Sequence, residues 1–117
     1  MLAKDQLGID GEDLAARHLV AAGFAIVRRN WRCPSGEIDI IARDGGDLVI
    51  VEVKTRSSSG YGGPVEAVNY RKQRKLRELA TLWLHENPHR GSVRFDVISV
   101  VYPKSGFPQL EHWRGAF

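Results

Sequence analysis

The chain carries a single cysteine and no apolar run near the roughly 20 residues that a membrane-spanning helix needs. Each scarcity removes a class of protein. Cys33 has no second cysteine to pair with, so disulfide frameworks and cysteine-based zinc ribbons are excluded, and a reducing, cytoplasmic home is expected. His18, His85, His89 and His112 are scattered without ligand spacing, and none is assigned a catalytic role. The opening stretch MLAKDQLGIDGEDLAARHL breaks its apolar residues with acids where a secretory signal requires an uninterrupted apolar segment. There is no internal repeat. Ser57 to Ser59 have no accompanying His and Asp of the nucleophile type, and no Gly-rich loop opens a helix, which leaves hydrolase triads and nucleotide-binding folds as poor candidates.

What remains is one domain's worth of chain, residues 1–117, with a net charge of +3 and a sequence pI near 9.3. That balance is compatible with a nucleic-acid partner without requiring one. A helix is expected from about Asp5 to Ala22, closed by Gly23. On its helical wheel Asp10, Asp13 and Arg17 share a solvent stripe, whereas Glu12 falls among Gly8, Ala15, Ala16 and Leu19. FAIVRRNW (24–31) reads as a strand, followed by a hairpin of strands 37–43 and 47–55 around the turn DGGD. RSSSGYGGP (56–64) reads as a mobile loop, a second helix is expected from about Val65 to His85, and strands are expected at 93–102 and 109–113. The order is α/β: helix, strands, helix, strands.

The hairpin carries the chemistry. A two-residue loop at Gly45-Gly46 makes paired residue numbers sum to 91, which sets Asp39 opposite Glu52 and Glu37 opposite Lys54, all four alternating with Ile38, Ile40, Val51 and Val53. Opposed carboxylates repel unless something neutralises them. A divalent cation such as Mg²⁺ or Mn²⁺ does so with a few carboxylate oxygens and retained waters, and Asp39 with Glu52, helped by the Val53 carbonyl and Glu12, is that kind of donor set. Lys54 is then placed to stabilise charge on a phosphate. The bland reading of the same residues is an exposed sheet face with weak surface ion pairs. Asp96 alternates with Phe95 and Val97 and reads more simply as a strand-edge acid than as a member of the site.

The blocks GEIDIIA and LVIVEVKTR resemble the core motif of the PD-(D/E)xK nuclease superfamily, which includes restriction endonucleases and Holliday-junction resolvases. More closely, GEDLAARHL, NWRCPSGEIDIIARDG, VEVKTR, AVNYRKQRKLRELATLWL, RFDVISV and the final AF resemble, in order and along essentially the whole chain, the YraN family of small bacterial proteins. The resemblance implies a restriction-endonuclease-like α/β fold, with a mixed central sheet flanked by helices and an active-site hairpin. It implies that Asp39, Glu52 and Lys54 are the superfamily's acid, acid and lysine, and that Glu12 matches the N-terminal-helix acid of the resolvases. Ile38 stands where the superfamily motif has proline, a departure the resolvases share. A homodimer is a further expectation carried by the resolvase likeness.

YRKQRKLRELATLWL places Arg71, Lys72, Arg74, Lys75 and Arg77 together, opposite an apolar face of Leu76, Leu79, Ala80, Trp83 and Leu84. These cations, with Tyr70, Tyr61 and Gln73, are expected to track a phosphate backbone beside the acid pair; Gln73 is included because the resemblance puts a polar residue of this helix at the site. Arg28, Arg29 and Arg32 around Trp31 extend the track. The expected function is a metal-dependent nuclease acting on DNA, including branched DNA. Two alternatives stay open: a non-catalytic nucleic-acid-binding module of the same fold, and a protein-interaction subunit with a solvated acid patch.

Overall fold

A sheet with one apolar residue after another on both faces must be covered twice, and here two helices cover it. The computed structural model describes residues 3–57 and 68–117, with side chains described from Gln6 onward. The elements are α1 (Ala3–Ala21), β1 (Ala25–Cys33), β2 (Gly36–Asp44), β3 (Asp47–Arg56), α2 (Tyr70–Glu86), β4 (Val93–Val101) and β5 (Gln109–Trp113). The strands lie in the order β1-β2-β3-β4-β5. Only β3 and β4 run parallel, and α2 belongs to the crossover between them. This mixed α/β arrangement is compatible with the restriction-endonuclease-like fold.

Helix α1 ends as its sequence dictates. Gly23 takes φ 95°, its N–H donates to the Val20 carbonyl, and the Phe24 N–H donates to the Leu19 carbonyl, the two bonds of a Schellman cap. The helix lays Ala15, Ala16 and Leu19 on Ile40, Ala42, Val49, Val51, Ile98 and Val100. On the other face α2 lays Leu76, Leu79, Ala80 and Trp83 on Trp31, Ile38, Ile41, Ile50 and Val97. Period-two alternation in β3 and β4 feeds both cores at once. Helix α2 starts at Tyr70, five residues later than expected, because Asn69 caps it: its side chain accepts a hydrogen bond from the Lys72 N–H. It stops at Asn87, ahead of Pro88. The loop expected to be mobile and Tyr61 fall almost wholly outside the described residues.

The register of the hairpin is the expected one from Asp44–Asp47 to Ile40–Val51. It then stops. Asp39 and Glu52 are one step past the last recorded pair, so the ladder expected to bring Glu37 opposite Lys54 does not continue. Alternation also breaks here, since Ile38 joins the α2-side core and Ile40, two residues on, joins the α1-side core. On β1 the neighbouring Asn30 takes φ 52°, and the registers Arg29 to Ile40 and Trp31 to Ile38 flank the same step. The two-stranded end of the sheet therefore turns over at Asp39.

Candidate functional site

The freed end of β2 lets Asp39 reach sideways. Its Oδ2 accepts a hydrogen bond from the Val53 N–H of β3 at 2.8 Å, using a backbone donor that the interrupted ladder leaves available. Glu52 follows Val51 on β3 and is 7% exposed. Burial raises the Asp39 carboxyl far above the ordinary carboxylate range, to about 8; the Glu52 charge and a hydrogen bond to Glu52 add to the rise, the Val53 N–H opposes it, and Glu12 contributes a little more. Asp39 thus keeps its proton at neutral pH beside Glu52, as desolvation and a neighbouring carboxylate require.

Glu12 arrives from α1. Gly11 makes that approach possible: a Cβ there would overlap the Thr55 side chain of β3, so glycine lets the helix lie against the strand and carries the next residue to the site. Burial raises the Glu12 carboxyl, the Arg29 charge opposes the rise, Glu37 supports it, and a hydrogen bond with Asn30 opposes it. Asp13, expected on the solvent stripe, is half-exposed there and also pairs with Arg29 at 2.7 Å.

Lys54 is half-buried and, by strand alternation, on the same face of β3 as Glu52; its neighbour on β4 is the buried Ser99. Glu37 departs from the expected shared patch. It pairs with the exposed Arg32 at 2.9 Å, because the turnover of the strand end carries it to the Glu12 side.

On α2 the cations divide. Arg71, Arg74 and Lys75 are exposed and, with Glu78, line an open cleft of about 370 Å³. Lys75 pairs with Glu78 at 2.9 Å, and Arg77 stacks over Phe95 and Phe117. Lys72, expected to face a phosphate backbone, turns inward to Glu52 at 3.4 Å. The Gln73 amide donates to the Val68 carbonyl at 3.0 Å, so it is occupied within the helix's own approach.

Asp96 corrects the strand-edge reading outright. It is fully buried, held by Arg94 Nε (2.9 Å) and Nη2 (3.0 Å), by the Gly115 N–H (3.0 Å) and by His112 Nε2 (2.8 Å), while His112 Nδ1 meets His18 Nε2 at 3.0 Å. Burial alone would raise its carboxyl, but these hydrogen bonds outweigh it and hold it down at about 2. This network ties α1 and β5 to β4, a structural use of two histidines.

Among the described residues, no three His, Cys, Asp or Glu side chains group as a ligand set. A zinc-type cage is therefore a poor fit, whereas a hard cation that keeps several waters needs only one or two carboxylates, which Asp39 and Glu52 provide. Two carboxylates set this close favour a positive partner. A groove of about 780 Å³ between α1 and β1, lined by Ala16, Val20, Ile26 and Arg29 among others, contains neither acid.

The Uncharacterised protein family UPF0102 matches residues 11–100, a span that includes Glu12, Asp39, Glu52, Lys54 and the basic helix. A UPF0102 protein of Frankia alni is 55% identical over 118 aligned residues, covering 100% of this chain and 98% of the relative. A UPF0102 protein of Streptomyces griseus is 53% identical over 117 residues, with 98% of each chain covered. Another, of Rhodococcus opacus, is 54% identical over 112 residues and 95% of each chain.

Proposed function

The chain belongs to the Uncharacterised protein family UPF0102, and from that premise and the geometry of its acid pair we propose that it is a metal-dependent phosphodiesterase acting on DNA, branched or structured DNA included. The observation that carries the reading is the meeting of Asp39 and Glu52 where β2 and β3 part, with Asp39 held by the Val53 N–H and Lys54 on the face of Glu52. A chain that wanted only a stable sheet would continue the ladder here with apolar residues. Instead it sets a half-buried Asp39 beside a buried Glu52, a destabilising choice of the kind kept at functional sites.

Asp39 and Glu52, with the Val53 carbonyl beside them, would hold Mg²⁺ or Mn²⁺, and the ion when bound would supply Lewis acidity toward a phosphate oxygen and a more acidic water. Glu12, expected in support, would act as a nearby carboxylate and not as a third ligand. Asp39 must first give up its proton. Lys54 stabilises the negative charge that builds on the phosphate. The exposed Arg71, Arg74 and Lys75 hold the backbone of the substrate in position without reading bases. The test is cleavage of linear, flapped and four-way-junction DNA with Mg²⁺ or Mn²⁺. Lys54→Ala should lower the rate by roughly a hundredfold, the size of one lost electrostatic stabiliser, with little change in DNA affinity. Cutting at the parental rate would leave Lys54 a surface residue.

The exposed cations of α2 favour a second reading, a nucleic-acid-binding module without turnover. Salt dependence examines it separately: Arg71→Ala with Arg74→Ala should flatten the log-log salt slope of DNA binding by about 0.9 per lost contact, equally for unrelated sequences. Salt-sensitive binding with no cleavage in any metal would select this reading over the first.

A further inference from the structure

Acids are favoured in the first turn of a helix and cations are not, because the unpaired N–H groups there carry positive charge. The first turn of α2 has no acid and carries Arg71 and Lys72. Helix stability does not explain Lys72. Its position does, since it stands one turn before Leu76 on the face that also buries Leu79, Ala80 and Trp83, and this aims its stem at the sheet. There its ammonium reaches Glu52 Oε2 at 3.4 Å; the Glu52 side chain is 9% exposed and that of Lys72 is 38% exposed. The separation is longer than the roughly 2.7–2.9 Å of a tight charge-assisted hydrogen bond, so the ammonium is loosely seated. Arg74, Lys75 and Arg77 of the same helix lie instead against Tyr70, Glu78, and Phe95 with Phe117.

We propose that Lys72 is a placeholder cation: its ammonium occupies Glu52 while the acid pair is free of metal, and a divalent cation must displace it, releasing a positive charge beside the pair for the anionic backbone of the substrate. The inference rests on the nuclease reading of this site and adds a coupling to it. An ammonium and a divalent ion compete for one carboxylate oxygen, so Lys72 weakens metal binding in the empty site. Once displaced, the ammonium lies on the side of Arg71 and Lys75, where it adds to anion binding. Metal and substrate then favour one another, and the coupling is reciprocal.

The test is calorimetric titration of Mn²⁺ into the full chain without nucleic acid. Wild type should bind Mn²⁺ in a manner that Asp39→Asn abolishes. Lys72→Met should bind it roughly tenfold more tightly, the size expected for removing one unit charge ~5 Å from a divalent ion in water-like surroundings. Lys72→Arg, which restores the charge, should return the affinity to the wild-type value, and Lys75→Met, on the outer face, should leave it unchanged. Lys72→Gln replaces Lys72→Met if the latter does not fold. Unchanged or weaker Mn²⁺ affinity without the Lys72 charge, in a protein whose wild type binds through Asp39, overturns the placeholder and leaves the metal site standing. If wild type shows no Asp39-dependent binding, the metal-site reading falls and the placeholder with it.

Discussion

Asp39 accepts a hydrogen bond from a backbone N–H while burial and Glu52 push its carboxyl toward protonation, and the second influence wins. The folded protein without metal therefore holds a proton between about pH 4 and pH 8 that the unfolded chain lacks. A raised carboxyl contributes stability that is fully present below the unfolded value, near 4, and is lost as pH rises through about 8. Asn in this position keeps an oxygen for the Val53 N–H and offers an N–H to Glu52, imitating the protonated acid at every pH. Asp39→Asn should thus match wild type in stability near pH 4 and exceed it at pH 8 by at least ~1.4 kcal/mol, one pKa unit's worth. Denaturant melts across that range check it, and a constant difference would mean that Asp39 does not titrate as described. Asp39 and Glu52 are legible in the sequence because acids inside apolar strands are conspicuous. Asp96 is not, because its partner His112 lies 16 residues away, and His18, which meets His112 and not Asp96, lies 94 residues from that histidine, so only the folded sheet joins them. The same holds for Lys72, although its spacing from Leu76 already marks it as an inner-face residue.

Elements meet at the site through one close contact. The Gly11 Cα lies against Thr55, so α1 can rest on β3 only while that position has no side chain. Gly11→Ala improves the intrinsic helix propensity by about 1 kcal/mol but forces the helix off the strand, and overpacking of this kind costs roughly 1–3 kcal/mol. The net expectation is a protein less stable by about 1 kcal/mol, in which Glu12 has drawn away from Asp39. Gly8→Ala, where a Cβ meets nothing within 4 Å, should instead stabilise. A thermal melt of the pair separates the two effects, and stabilisation by both substitutions would show that the contact is slack. The helices and strands themselves are largely readable, from the Gly23 cap and the DGGD turn, whereas the start of α2, expected near Val65, is set at Tyr70 by the Asn69 cap. The turnover at Asp39 is not, since nothing in the local pattern of Ile38 and Ile40 announces that they face opposite cores.

For the molecule as a whole, the site is a place where the sheet is held apart at the cost of stability, so an ion that binds there must show itself in the melting of the entire fold. Binding to the folded state alone adds RT ln(1 + [L]/Kd), about 1.4 kcal/mol for an assumed Kd of ~1 mM at ~10 mM ion. In a chain of this length that raises Tm by roughly 3 to 8 °C. Because Asp39 must release its proton, the rise should grow between pH 6 and pH 8.5. Asp39→Asn and Glu52→Gln should each remove most of it, the first despite a more stable metal-free protein. Asp10→Asn, an exposed residue of α1, should keep it whole. Lys54→Ala should keep most of it too, since the role proposed for Lys54 is toward phosphate and not toward the ion. Equal stabilisation of wild type and both acid variants would place the ion elsewhere on the surface, and a rise independent of pH would separate ion binding from the proton on Asp39.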